Sequence, residues 1–491
     1  MLAAVVVPLL ASGLSRGDDD GRRRADQVAS ALLTWVLAVL VPLALVVGLA
    51  ARPLAALLIG TGQAVPGSVD LGADLLRLFA AQLPLYGVGA VLGGVLQAHR
   101  RFLGPALAPL ASSLVMIAAY GAFAASLRGG ADGLVDPLRL ETGPRRLLGR
   151  GTTLGVAALT LPLFVPVRRA GVRLRPTFAL PADLLRPALS LAGAGVAGVL
   201  AQQASVLAVA LVTRGVDEGR VVTLLSYAQA VTMLPFAVLV VPVITTTFPR
   251  LAHVAALGRE DDFARLTARA LRGVTVVSVV GAAVLVAVAG SVEHFFTALD
   301  RSHVTGLAVG LVAGAPGVVG LAVTTACSRA LAAAHRARDV ASGVVVGWLL
   351  TACGSAAVLV PGVDAVAGML LLGLASSLGM LTSAWLLLLA VRRHCGATGV
   401  RGVPGAGLAS VLAALPAAAA GAAAGAGVHA LADPGGRGGT AAWALASGAA
   451  AALVCGALGL GLVALLLPEV RRDLTAQLGR RRRRAVVEEE T

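Results

Sequence analysis

The strongest constraint on this chain is a repeated pattern: an apolar run of about 20 residues, a short turn bearing arginine, and a returning apolar run. It is plainest from Leu75 to Leu114, LLRLFAAQLPLYGVGAVLGGVLQAHRRFLGPALAPLASSL, where two apolar stretches flank His99-Arg100-Arg101. As a helix, each stretch is long enough to cross a hydrocarbon layer of about 30 Å at about 1.5 Å per residue. The turn carries cations and no acid, as expected of a short cytoplasmic loop. Because the pattern recurs to the C-terminus, the chain reads as an all-α polytopic membrane protein. Composition agrees: 57% of residues are apolar and 13% charged, against about 45–50% and about 25% in soluble domains.

Apolar spans fall near 29–50, 73–96, 105–125, 147–167, 187–212, 221–248, 273–291, 304–328, 340–360, 366–391, 404–431 and 440–467. Residues 1–12, MLAAVVVPLLAS, add a stretch of only about 18 Å as helix. They have no basic residue before them and no small-residue cleavage site, so a signal peptide is not expected. The reading is twelve full spans plus an N-terminal half helix, as if about one and a half helices preceded Met1. Pro84, Pro235 and Pro242 lie inside spans, where neighbouring helices can satisfy the freed carbonyls. The polar, proline-marked stretch Arg168 to Asp183 separates two groups of spans. In the last two spans Gly421 and Gly425 lie four apart, a spacing suited to close helix contact in lipid; compositional drift toward Ala and Gly is the alternative.

Arginine sets the expected orientation. The alternate loops near 13–28, 97–104, 168–180, 249–272, 329–339 and 392–403, with the tail, hold 28 arginines, and the intervening loops and adjoining span ends hold 11. The first set is therefore expected inside, and the C-terminus with it. Arg100, Arg101, Arg329 and Arg336 are the cations of the inner turns that would fix this topology. The run Arg480 to Arg484 follows a span directly, so lipid anchoring is favoured over nucleic acid, the more so with Glu488 to Glu490 beyond it.

Much chemistry is excluded. All 40 basic residues are arginine, and without lysine there is neither a P-loop nor a Schiff base. Any pumping must then draw on an ion gradient (a monovalent cation, for example), the membrane potential or the substrate's own gradient. Cys327, Cys353, Cys395 and Cys455 show no CxxC spacing. There is no HExxH, no G-x-S-x-G and no spaced Cys/His set, so no catalytic residue, metal site or cofactor is assigned. The chain reads as a transporter rather than an enzyme.

Polar residues within spans carry the remaining information, since burying one without a partner costs roughly 1–3 kcal/mol. Gln82 and Tyr86 share a helix face, Gln202, Gln203 and Ser205 cluster near residue 200, and Tyr227, Gln229 and Thr232 cluster in the next span. Hydrogen bonding between helices is the ordinary reading, and lining a hydrated cavity is the alternative. Arg77 lies near an outer membrane edge, where it either snorkels or meets an anionic group.

Taken in segment order, nearly the whole chain resembles the MurJ/MviN family of lipid II flippases, of actinobacterial type, within the multidrug/oligosaccharidyl-lipid/polysaccharide (MOP) exporter superfamily. The most specific piece is LLRLFAAQLPLYGVGAVLGGVLQAHRRFLGPALAPL, which looks like the family's helix, Arg-Phe turn and proline-bearing returning helix. Weaker echoes are LLGRGTTLGV from Leu147, Gln203-Ala204-Ser205, Tyr227 to Pro235, Phe248-Pro249-Arg250-Leu251 and the turn Arg329 to Asp339.

The resemblance implies fourteen helices in a MOP-type two-lobed bundle around a central cavity, the last pair forming a groove for a lipid tail. On that template residues 1–168 are an N-lobe lacking helix one and part of helix two, 181–400 a C-lobe, 401–470 the helix pair and 471–491 a basic cytoplasmic tail. The implied activity is alternating-access transfer of the undecaprenyl-pyrophosphate-linked peptidoglycan precursor, lipid II, to the outer leaflet of the bacterial plasma membrane. The implied partners are that precursor, membrane lipids and proteins of cell-wall synthesis and division. The family's cavity arginines come largely from its first two helices, and another falls at Ala230 here. Export of another lipid-linked polysaccharide or a drug, or a non-transporting remnant that binds lipid or a partner, are the alternative readings.

Overall fold

The structure, a computed structural model, describes residues 19–59, 67–99, 101, 103–127, 142–179, 182–213, 220–299, 304–334, 336–431 and 437–467. Residues 1–12, Arg100 and Arg480 to Arg484 lie outside this set. The described residues include 12 helical stretches long and apolar enough to span a membrane. They correspond in number and order to the twelve apolar spans of the sequence. By contact the chain divides into two compact units between Val196 and Ala197.

The first unit holds α1 (Asp19–Leu49), α2 (Ala51–Ile59), α3 (Ser68–Ala80), α4 (Gln82–Ala98), α5 (Leu103–Leu127), α6 (Thr142–Thr160) and the short α7 (Phe164–Arg169). The expected span 73–96 is two helices, broken at Ala81. Pro84 falls in the first turn of α4, where its missing N–H has no helical acceptor to serve. Val88, Val91, Leu92, Val95 and Leu96 of α4 form the core of this unit with Ala25, Val28 and Ala29 of α1 and Val167 of α7. At its far end α4 closes on His99, and the Arg101 N–H bonds the Leu96 carbonyl at 2.8 Å, making the tight turn expected there.

α8 (Ala182–Thr213) crosses the division between the units. The second unit continues with α9 (Arg220–Pro235), α10 (Val241–Ala256), α11 (Glu260–Leu299), α12 (Leu307–Ala333), α13 (Ala337–Ser355), α14 (Ala365–Cys395), α15 (Val403–Ala430) and α16 (Arg437–Leu466). A π-helical turn, Phe236–Val240, joins α9 to α10 between Pro235 and Pro242. Two prolines seven residues apart remove two ladder donors, and the widened turn absorbs the misfit.

α11 has 40 residues, about 60 Å of helix, twice a hydrocarbon layer. The segment near 249–272, read from the sequence as a loop, is helical through Ala256 in α10 and again from Glu260 in α11. The reason is amphipathic spacing: Phe263, Ala264, Thr267, Ala268 and Leu271 are buried, while Asp262 on the other side pairs with Arg259 and with Arg265 (2.6 Å).

Small residues set the helix spacing in this unit. A Cβ on Gly320 of α12 would lie 2.5 Å from the Met380 carbonyl carbon of α14. On the same seam the Ser377 hydroxyl donates to the Ala313 carbonyl (2.6 Å) and accepts from the Gly317 N–H (3.0 Å). Gly421 and Gly425 of α15 are buried against α16: a Cβ at Gly421 would meet the Ala451 carbonyl oxygen at 2.7 Å. The small-residue spacing is thus a packing device. The pair also rests on α11, where Ser447 and Ser291 hydroxyls share a hydrogen bond of 2.9 Å.

Candidate functional site

The polar span residues fall into two groups. In the first, side chains are occupied within the fold. Gln82 donates to the Thr153 hydroxyl of α6 at 3.1 Å, and that hydroxyl lies 3.1 Å from the Leu78 carbonyl. The bond bridges α4 and α6. Arg77 pairs with Asp74 one turn earlier at 2.9 Å, with both side chains about half exposed. Tyr227 stacks on Phe296 with ring centroids 4.2 Å apart. Ser205 is buried and Thr232 half-buried.

In the second group, polar atoms stand out from spanning helices. Tyr86 on α4, Gln202 and Gln203 on α8, and Gln229 on α9 are all exposed within their units. A glutamine facing hydrocarbon has no bonding partner there, so this placement suits a hydrated surface. Among the turn cations, Arg101 is exposed, Arg329 is exposed with its guanidinium 5.4 Å from the Phe248 ring centroid, and Arg336 is exposed at the N-cap of α13.

The most developed polar feature of the first unit lies outside these residues. After α7, Gly171 takes φ +80°, a left-handed conformation that favours glycine, and turns the chain into an extended strap over residues 172–179. The strap is bound to α1 by a three-rung ladder. Asp26, Ser30 and Thr34, spaced by four on the helix, accept the backbone N–H groups of Arg173 (3.2 Å), Arg175 (3.0 Å) and Thr177 (3.1 Å). Four helical residues advance about 6.0 Å and two extended residues about 6.6 Å, so the two periods stay matched over three rungs. Trp35 closes the ladder: its indole N–H donates to the Phe178 carbonyl at 3.3 Å, and the two rings meet edge to face at 5.4 Å.

Strap and helix enclose an open cavity of about 900 Å³. Leu33, Leu37 and Phe164 line it together with Arg168, Arg173 and Arg175. Beside the first rung is His99, which burial holds below its usual pKa against the opposing pull of Asp26.

No single residue above was visible as part of this strap from the sequence. Two signals could have revealed it: the i, i+4, i+8 polar row on an otherwise apolar helix, and the alternation Val172-Arg173-Leu174-Arg175, in which Val172 is buried and both arginines are exposed.

Comparison with known proteins places this architecture. The family model described as "Lipid II flippase MurJ" matches residues 2–433. A solved structure of lipid II flippase MurJ in an inward closed conformation superposes with a TM-score of 0.64 at 15% identity, covering 96% of this chain and 90% of that one. An inward-facing multidrug resistance MATE family transporter of the MOP superfamily gives 0.62 at 15% identity over 81% of this chain and 86% of that one. A MOP superfamily transporter from Pyrococcus furiosus gives 0.59 at 16% identity over 81% and 85%. At such identities the structural likenesses establish the fold, MOP-type and all-helical. The family match spans most of the sequence, and on that ground this multi-pass membrane protein belongs to the MurJ family of lipid II flippases.

Proposed function

We propose that this chain carries lipid II from the inner to the outer leaflet of the bacterial plasma membrane by alternating access, in cell-wall biosynthesis. The observation that carries the reading is the family match over residues 2–433. The substrate is an anionic head too polar for hydrocarbon on a tail that stays in lipid, so its route must be wet and its helices movable. Exposed Tyr86, Gln202, Gln203 and Gln229 supply polar surface on helices that otherwise suit lipid. These four are the proposed lining of that route.

In this proposal the arginine-rich turns face the cytoplasm and the C-terminus lies inside, as the 28-to-11 arginine asymmetry supports. α15 and α16 form the groove for the lipid tail. Energy comes from an ion gradient, the membrane potential or the lipid gradient itself. Expression in cells depleted of their own lipid II flippase tests the proposal. Restored growth and rod-to-sphere rescue support it, whereas lysis despite full membrane insertion of the chain counts against it.

A further inference from the structure

The strap cavity has a chemistry of its own. Along α1 polarity changes at Thr34 and Trp35: Asp20, Arg22 and Arg23 are exposed before it, and Val39, Leu45, Val46 and Leu49 are exposed after it, from 59% to 85%. Exposed aliphatic surface on a spanning helix suits lipid, and a tryptophan at such a boundary suits the headgroup level. Trp35 is half exposed there, against an exposed Phe178. The cavity therefore sits where a bilayer turns from headgroups to chains. Its lining joins the apolar Leu33, Leu37 and Phe164 to three arginines, Arg168, Arg173 and Arg175.

Their charge is only partly offset, by the electrostatic pull between Asp26 and Arg173. Among the described residues no carboxylate forms an ion pair with Arg168, Arg173 or Arg175. The neighbouring acid, Asp26, accepts the Arg173 backbone N–H. Because the ladder holds Arg173 and Arg175 through their backbone, neither guanidinium is used up in holding the strap. At about 900 Å³ the cavity is also within the roughly 300–1,000 Å³ of ligand pockets. A lining that joins arginines to an apolar patch at headgroup depth is complementary to an anionic amphiphile.

We propose that this groove is a site for one anionic phospholipid, its phosphate held by Arg168, Arg173 and Arg175 and the start of an acyl chain laid on Leu33, Leu37 and Phe164. The bound lipid would brace the strap against α1 from the open side. Recognition is by charge, so phosphatidylglycerol is held and phosphatidylcholine is not.

The test uses the full chain purified in mild detergent and titrated with phosphatidylglycerol, phosphatidylcholine or inorganic phosphate. Bound lipid is counted by native mass spectrometry, and the melting temperature is followed with each of the three additions. The wild type should retain one phosphatidylglycerol. R168Q/R173Q/R175Q should weaken that retention about a hundredfold, at roughly fivefold per cation near an anionic surface, with strap amide protection equal to that of the lipid-free wild type. A38F, which fills the groove and leaves the arginines, should also lose the lipid. R392Q/R393Q, on α14, is the charge control and should retain it. Retention unchanged in the triple variant and in A38F overturns the proposal, as does equal retention of phosphatidylcholine. Stabilisation by inorganic phosphate matching that by phosphatidylglycerol would mark a free-anion site and overturns it too.

Discussion

Replacing Ser30 by Ala and Thr34 by Val removes two of the three rungs that tie the strap to α1. The Arg175 and Thr177 N–H groups lose acceptors at 3.0 and 3.1 Å. Each such bond contributes about 1 kcal/mol net, so the pair costs about 2 kcal/mol of local stability. Valine keeps the shape of threonine, and the helix itself loses only the Thr34 hydroxyl's bond to the Ser30 carbonyl at 2.8 Å. Opening of the strap should become about 30-fold more frequent, since about 1.4 kcal/mol is a tenfold change. Amide hydrogen exchange measured on the full chain reads this directly. Protection at Arg173, Arg175 and Thr177 should fall together, while protection across α4 stays as it was. Exchange at the three amides within about threefold of wild type would show that the rungs do not hold the strap, and the ladder argument would be wrong.

Further outcomes follow from the same reasoning. Gly320→Ala forces α12 and α14 apart, because the new Cβ meets backbone at 2.5–2.7 Å; overpacking of about 1–3 kcal/mol should outweigh a helix-propensity gain of about 1 kcal/mol. Gly456→Ala, where no atom lies within 4 Å, should melt no lower than wild type, and equal melting of the two variants refutes the seam. Burial lowers the His99 pKa from its ordinary value of 6.5, so folding favours the neutral ring. Its contribution is full above that value and is lost as pH falls through it, so melting temperature should drop between about pH 7 and pH 5, and His99→Gln should flatten the drop. A slope unchanged by that variant assigns the effect to other groups. Gln202→Leu with Gln203→Leu should abolish transport at wild-type melting temperature if these residues line the wet route, and wild-type transport by this variant removes them from it.

Much of the fold was legible because lipid imposes a length and a polarity on each helix. All twelve spans correspond, and the arginine turn after Ala98 is as tight as its sequence suggests. What escaped was governed by side chains meeting far along the chain. The extension of α11 through Phe263 and Leu271 has a helical period that charges around it obscured, so it read as loop. The strap depends on Asp26, Ser30 and Thr34 meeting residues more than 140 positions away. Gln82 shows the opposite limit: a polar residue in a span signals a partner, and only coordinates show that Thr153 is one. Gln202 and Gln203 carried the same signal and stand exposed instead.

The central claim, that this chain moves lipid II, is tested most directly by measuring which leaflet holds it. In cells depleted of their native flippase and expressing this chain, an extracellular enzyme that cleaves lipid II reports its outward exposure. Cleaved product should return to the level of undepleted cells on expression of the chain. Lipid II that stays protected, with the chain stably inserted and abundant in the membrane, would contradict it.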